Sequence, residues 1–449
     1  MATTNLTKTP ATAGNRNKWT WSAWVKRSTT GSASSLFGVH YSSGAYQDNL
    51  YFQSSGKLDW FIWNNNAYAG RITTDRLFRD VSAWYHVVCV YDNTLATATD
   101  RMKLYVNGVR ETSLSNVTNP VQNSTLSNVN TTNPFILGND GNGNNHFDGS
   151  MTHVHFIDGL TYDASTFGET DATTGIWKPK TAPVVTYGTN GFFLKFENSA
   201  SFGTDSSGNA NNFTVNGTMT QTIDTPSNVF ATLNPLINVP NQTYANGNTK
   251  CTDNDNAHKS NYATLGFSSG KYYWEAKAVG GSKYTIGLSD AENQSAYQQV
   301  SGANLIVGDN SNSYLKGDAI GWYYTTLYKN GSTVASSIHQ IATNDIMMIA
   351  CDADSGKIYY GVNGTWRVAN STTFNSADND TTFTTGKAYT PAFSAETCGW
   401  ETNFGNGYFG TTAVSSAENP DDGIGIFEYE VPTGYKALCT KSINAQEYD

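Results

Sequence analysis

His153 and His155 are spaced as a metal-binding pair would be. Two residues apart on an extended chain they point to one face, where His146 or Asp148 would add a third ligand. Met151 and Ile157 fall on that same face, which favours an ordinary packed surface. The adjoining residues 140–148, DGNGNNHFD, are rich in oxygen ligands. Asp140 and Asp148, helped by Asn side chains and main-chain oxygens, would suffice for a weak calcium site. The ordered spacing of an EF-hand is missing, so a solvated Asn-Gly loop is the simpler expectation, and no cofactor is required.

Two further patterns bear on catalysis. Residues 266–270, GFSSG, match the G-x-S-x-G pattern of a nucleophile elbow, which needs a helix on its C-terminal side. The residues after Ser268 alternate as a strand, with Trp274 and Ala276 against Tyr273 and Glu275, so the stretch reads as a turn entering a strand. Glu428 and Glu430, on IFEYEVP, share a face if that segment is extended, and glycoside hydrolysis needs two carboxylates. No third acidic residue continues the pattern, so the expectation is no enzymatic activity. Four aromatic residues at strand ends or beside loops, Trp63, Tyr68, Tyr323 and Tyr324, are candidates for stacking on a ligand such as a sugar ring.

The elements that must carry these residues are strands. Charged residues make up 14% of the 449 and aromatics 13%, with Asn, Thr, Ser and Gly filling the polar positions. That balance suits pleated, half-buried surfaces and turns. In residues 19–27, WTWSAWVKR, Trp19, Trp21, Ala23 and Val25 share one face against Thr20, Ser22 and Trp24. In residues 57–63, Leu58, Trp60 and Ile62 oppose Asp59, Phe61 and Trp63. Residues 84–91, WYHVVCVY, and 345–351, DIMMIAC, are apolar on both faces, as central strands are. Asn107-Gly108, Asn330-Gly331 and Asn363-Gly364 each separate two strand-like runs and predict tight hairpins. An internal parallel is visible: a two-faced strand ends in Asp (Asp92, Asp352), Lys-apolar-Tyr comes next (Lys103, Lys357), and then an Asn-Gly hairpin. Between the two halves, residues 191–235 hold two more strand candidates around the turn at Asp205, either a seam or strands shared by both.

The net charge of −10, with no cluster of Lys or Arg, excludes a nucleic-acid surface. No run is apolar and long enough to span a bilayer, and the N-terminus lacks a signal-peptide core, so export by that route and membrane insertion are not expected. The five cysteines are odd in number and show no C-x-x-C spacing, so they are expected as buried free thiols.

Several of these stretches resemble known families. WTWSAWV, then WYHVVCVYD with KLYVNGVRE, PFILG and FDGSMTHVHFIDGLTYD, are similar in kind and order to laminin-G-like sandwiches of the concanavalin A-like type. SSGKYYWEAKA (268–278), YTIGLSD (284–290), GDAIGWYY (317–324), DIMMIACDADSGKIYYGVNGTWR (345–367), PAFSAE (391–396) and NFG (403–405) resemble the SPRY family, a sandwich of the same type. FGETDATTGIWKP (167–179) and PTGYKALCTKSIN (432–444) are similar to virion proteins of marine bacteriophages.

The resemblance implies an all-β chain of two concanavalin A-like (jelly-roll) antiparallel β-sandwiches in tandem: a laminin-G-like domain over 1–185, the seam at 186–224, a SPRY-like domain over 225–440 and a tail at 441–449. It implies calcium near the Asp140 loop, since laminin-G-like sandwiches often hold the ion there. Functionally it implies a bacteriophage virion surface protein without enzymatic activity, assembled in the host cytoplasm. The expected role is a short fibre or appendage binding a host-surface glycan or protein. The rivals are a capsid or tail decoration protein and a polysaccharide-degrading enzyme. The expected partners are other virion proteins and copies of the chain itself, threefold symmetry being favoured. Residues 5–10 already read as the first strand, which leaves almost no chain for an anchor. With no heptads and no β-helix period, a long fibre from this chain alone is not expected.

Overall fold

Trp19, Trp21, Ala23 and Val25 all lie in one hydrophobic core, on the face that their alternation assigns them. The chain is seen here in a computed structural model that describes residues 4–40, 45–237, 241–291, 306–309 and 317–448. It divides into two units, Met1–Gln221 with Thr225–Ser227, and Thr222–Asp224 with Asn228–Asp449.

The strands of the first unit are β1 (Asn5–Lys8), β2 (Lys18–Arg27), β3 (Ser34–His40), β4 (Tyr46–Phe52), β5 (Lys57–Asn64), β6 (Ala67–Leu77), β7 (Trp84–Asp92), β8 (Met102–Val106), β9 (Val109–Arg110), β10 (Leu114–Thr118), β11 (Phe135–Leu137), β12 (Gly149–Asp158), β13 (Gly168–Thr170), β14 (Trp177–Pro179), β15 (Phe192–Leu194) and β16 (Thr214–Asn216). One sheet has the order β10-β6-β5-β4-β3-β11-β1-β16, the other β15-β12-β2-β7-β8-β9, and both are antiparallel. Their inner faces share the core, in which Trp21 stacks on Phe37 and Trp19 meets Trp60 edge-on. Both strands from the 186–224 stretch pair within this unit: β15 with β12, and β16 with β1.

The second unit contains β17 (Gln242–Ala245), β18 (Lys250–Asp253), β19 (Lys259–Tyr262), β20 (Lys271–Val279), β21 (Tyr284–Asp290), β22 (Ala319–Tyr323), β23 (Thr326–Lys329), β24 (Ser332–Ser336), β25 (Ile346–Asp352), β26 (Lys357–Val362), β27 (Thr365–Trp366), β28 (Thr381–Thr382), β29 (Tyr389–Ala395) and β30 (Gly399–Asn403). Its sheets run β17-β18-β30-β20-β25-β26-β27 and β19-β29-β21-β22-β23-β24, around a core centred on Trp274, Trp322 and Tyr360. The strand pairs are antiparallel, apart from a short parallel pairing of Lys436–Ala437 with β20. The expected tail begins as a helix, Thr440–Tyr448; Asp449 lies outside the described residues.

The predicted duplication holds at the level of topology. β2-β7-β8-β9 and β20-β25-β26-β27 have the same order, and the Asn-Gly turns fall on matching strands. Asn107 and Asn363 have φ 48°, and Gly108 and Gly364 have φ 84° and 85°. In both turns the Asn side chain accepts a hydrogen bond from the start of the neighbouring strand, from His86 N at 2.8 Å and Ile346 N at 2.9 Å. At the far end Lys18 pairs with Asp92 (3.0 Å) and Lys271 with Asp352 (3.5 Å), again in the same register. The Lys-apolar-Tyr parallel fails, because Lys103 lies opposite Val90 whereas Lys357 lies opposite Asp352. Those rungs are two residues apart once the hairpins are superposed.

The two-faced strands have a common cause. The outer face of β2 and β7 is covered by residues 162–187, including Phe167, Trp177 and Tyr187. The outer face of β20 and β25 is covered by Trp366, Phe427 and Tyr435. Each hairpin glycine touches its cover: a Cβ at Gly108 would lie 3.0 Å from the Trp177 ring, and one at Gly364 would lie 3.1 Å from the Tyr429 ring. Gly108→Ala and Gly364→Ala should therefore each lower stability by about 1–2 kcal/mol, from positive φ and from the contact. Unshifted denaturant midpoints would contradict this.

Candidate functional site

Asn65 and Asn66 both take left-handed backbone, φ 50° and 61°, and turn the chain from β5 into β6. The turn closes on Asn64 opposite Ala67 and so sets Trp63 directly opposite Tyr68. These two rings meet edge to face with centroids 4.7 Å apart. Phe61, on the same face of β5, meets Tyr68 at 5.8 Å and Tyr51 of β4 at 5.9 Å, both edge-on. The intervening residues of β5, Leu58, Trp60 and Ile62, are buried in the core. A row of four aromatic rings therefore crosses the outer face of the first unit's larger sheet, with Tyr68 41% exposed and the other three half-buried.

Asp59 organises the end of this row. Its carboxylate is fully buried and accepts five hydrogen bonds: from Tyr51 Oη (3.2 Å), Gln53 Nε2 (2.8 Å), Thr73 Oγ1 (3.0 Å), and Arg71 Nε and Nη2 (3.1 and 2.7 Å). The guanidinium of Arg71 lies 4.4 Å above the Tyr68 ring. The Asp59 hydrogen bonds raise the Arg71 pKa, and burial beside Asp59 pushes the Tyr51 hydroxyl up to about 12. Arg71 stays charged and Tyr51 neutral near pH 7. The result is a rigid platform of aromatic faces edged by polar groups, suited to an amphipathic ring.

The other candidates are arranged differently. A bulge between Thr152 and His155 disrupts β12 where it pairs with β2, and His153 sits in it with φ 48°. Val154 and Phe156 consequently enter the core, Met151 packs against it, and Ile157 joins the outer cluster. The bulge removes only Met151 from the expected face: His153, His155 and Ile157 stay together on the outer side, with both histidine rings against Phe193. His155 stacks on Phe193 at 3.9 Å and its Nδ1 bonds Tyr187 Oη at 2.9 Å. Asp140 folds its own loop: Oδ1 accepts from the N–H groups of Asn142 and Asn144, and Oδ2 accepts from Asn145 Nδ2. Asp148 is exposed and offers its carbonyl to Ser28 N. Among the described residues no three His, Cys, Asp or Glu side chains are grouped to hold a metal ion.

Ser268 lies exposed in the bend before β20, and a strand succeeds it as read from the sequence. Glu428 and Glu430 lie in an irregular segment, which corrects the expectation of one strand face; the Glu428 carboxylate is bound by Ser415 N and Oγ. Tyr323 packs edge-on against His258, and Tyr324, 42% exposed with φ 55°, turns the chain into β23. All five cysteines are free and buried.

One pair went unnoticed in the sequence: Ser22 Oγ lies 2.9 Å from His86 Nε2. An indole N–H can only donate, and Trp177 Nε1 donates to His86 Nδ1 at 3.0 Å. His86 Nε2 must then carry its proton and donate to Ser22, the reverse of what an activated nucleophile needs. Both side chains are buried, and burial drives the His86 pKa down to about 3.

The family model described as the concanavalin A-like lectin/glucanases superfamily, of laminin G type, matches residues 2–165. The first sandwich is a concanavalin A-like laminin G domain. The aromatic row and Asp59 lie within it, on β4, β5 and β6. That superfamily contains lectins and glucanases alike, so membership does not choose between binding and hydrolysis. A search of curated proteins finds no match to the chain. Among solved structures, the chain is similar to the SPRY domain of human HERC1, at 16% identity over 34% of this chain and 86% of that one, TM-score 0.24. It is also similar to a native heptameric SAP-like pentraxin from Limulus polyphemus, at 17% identity over 36% and 72%, TM-score 0.27. A third is the mouse laminin alpha1 chain, domains LG4-5, at 10% identity over 96% and 93%, TM-score 0.29.

Proposed function

We propose that this chain is a non-enzymatic surface protein of a bacteriophage particle, and that its laminin G domain binds a glycan of the host surface. The observation that carries the binding role is the row Trp63, Tyr68, Phe61 and Tyr51, held open on the outer face of a sheet. Aromatic rings attract the apolar C–H faces of sugars, and each contact is shallow, so several in a row are needed for useful affinity. The carboxylate within the row, Asp59, is occupied by five donors, and Asp75 at its edge is paired with Lys57 at 3.5 Å, whereas glycoside hydrolysis uses two carboxylates free to act on the substrate. The virion assignment is supported by the resemblance of residues 167–179 and 432–444 to marine phage proteins.

The purified chain should adhere to susceptible bacteria and compete with particles for them, and Trp63→Ala with Tyr68→Ala should abolish adhesion. Release of reducing sugars from the host polysaccharide, lost on Glu428→Gln or Glu430→Gln, would overturn the non-enzymatic assignment. Adhesion that survives the double substitution would remove the face from the argument.

A further inference from the structure

We infer that the Trp63–Tyr51 face takes an uncharged oligosaccharide, laid along β5 from Trp63 toward Gln53. The inference rests on the glycan-binding role proposed above and fixes the class of glycan. The first support is charge. Within the row the cation Arg71 and the anion Asp59 are paired through two hydrogen bonds. At the end of β5, Lys57 is likewise paired, with Asp75 at 3.5 Å. Arg71 and Lys57 thus each already have a carboxylate partner, and a chain of net charge −10 repels polyanions at long range. The neutral polar groups beside the row are Gln47, Tyr51 and Gln53; one N–H of Gln47 Nε2 donates to the Asp140 carbonyl, and Tyr51 Oη and Gln53 Nε2 donate to Asp59, which leaves the second amide N–H groups and the oxygen lone pairs for sugar hydroxyls.

The second support is shape. Trp63 and Asp59 stand four residues apart on an extended strand, roughly 13 Å. That length spans a few linked pyranose rings. The row is also preorganised: Asp59 fixes Tyr51 and Arg71, Arg71 covers one side of Tyr68, and Trp63 and Phe61 abut Tyr68 edge-on. A platform already rigid in the free protein loses little entropy on binding, which suits a ligand that offers no ion pair.

The test presents the purified full-length chain to an array of neutral bacterial O-antigens and glucans, beside uronate- and sialate-containing capsular polysaccharides. Hits are then titrated by calorimetry at low and high salt. The expected result is binding confined to neutral glycans and nearly independent of salt, weakened about tenfold or more by Trp63→Ala and by Tyr68→Ala. Circular dichroism should show both variants folded, because these side chains are partly exposed. Binding of an acidic polysaccharide that weakens with salt and is lost in Arg71→Ala would overturn the uncharged class and leave glycan binding standing. Neutral binding unaffected by either aromatic substitution would overturn the face alone. No binding to either class would overturn both this inference and the glycan role.

Discussion

Glu275→Ala should lower the stability of the second unit by about 3–5 kcal/mol, among the largest effects of any single substitution in the chain. Glu275 lies on the outer face of β20, fully buried, and its two oxygens accept four hydrogen bonds. Tyr273 Oη (2.8 Å) and Tyr429 N (2.9 Å) donate to Oε1; Glu428 N (2.9 Å) and Asn403 Nδ2 (3.3 Å) donate to Oε2. This carboxyl is what ties the irregular segment carrying Glu428 and Glu430 to the sheet. Alanine would leave four donors dry and unpaired, and the melting temperature should fall by about 10 °C. The amides of Glu428 and Tyr429 should lose their protection from hydrogen exchange first.

Burial raises the Glu275 pKa from its ordinary value to about 7. Between roughly pH 4.5 and 7 the unfolded chain has released a proton that the folded chain retains. The contribution is therefore present at low pH and lost as pH rises through 7. Glu275→Gln should remove that slope. A melt within about 1 kcal/mol of the parent for Glu275→Ala, or an unchanged slope for Glu275→Gln, would refute this account.

Acidification should act in the opposite sense on the first unit, by loosening residues 162–187 from the outer face of β2, β7 and β12. Two buried histidines hold that segment: His86 accepts from Trp177 Nε1, and His155 bonds Tyr187 Oη. From β2, Ser22 and Trp24 face His86; from β12, His153 faces both rings; Phe167 and Phe193 flank His155. Around His153 the charged neighbours are Glu197, which favours protonation, and Lys195, which opposes it. Residues 163–178 contribute Asp163, which caps the helix turn Ala164–Phe167, and the half-buried Asp171–Lys178 pair at 2.8 Å.

No carboxylate lies against His86 in this set, so burial dominates and its pKa falls to about 3. The unfolded or detached state binds the proton between about pH 6.5 and 3, so stability present above 6.5 is lost as pH falls. By pH 4 the loss from His86 alone is on the order of 3 kcal/mol. Asp48, whose pKa burial raises to about 6, works the other way over part of this range, so the variant comparison is the informative one. Tryptophan emission and exchange protection over residues 168–179 should change between pH 7 and 4 in the parent, and much less in His86→Phe. Equal protection at both pH values in the parent would rule the mechanism out.

Residues 19–27, 57–63, 84–91 and 345–351 show what the sequence by itself determined. A period of two and an Asn-Gly pair are local properties, set by which side chains share a face and which backbones tolerate positive φ. The two sandwiches in tandem were what the family resemblance implied, while these local properties were enough for an all-β chain and for three hairpins in their places. They also put Phe61 and Asp59 on the face of Trp63. Tertiary structure decided the rest, because it depends on partners distant in sequence. β6 escaped the pattern, with Gly70, Arg71, Asp75 and Arg76 interrupting its apolar positions, and only pairing with β5 brings Tyr68 and Arg71 to Trp63 and Asp59. A single bulge separated Met151 from the face that His153 and His155 share, since one extra residue reverses the alternation across it. The 186–224 stretch carried strands but no sign of their partners, which proved to be β12 and β1. Ser22 and His86 look unrelated in sequence and adjoin in space, and it is Trp177, 91 residues further on, whose indole proton fixes what that pair can do.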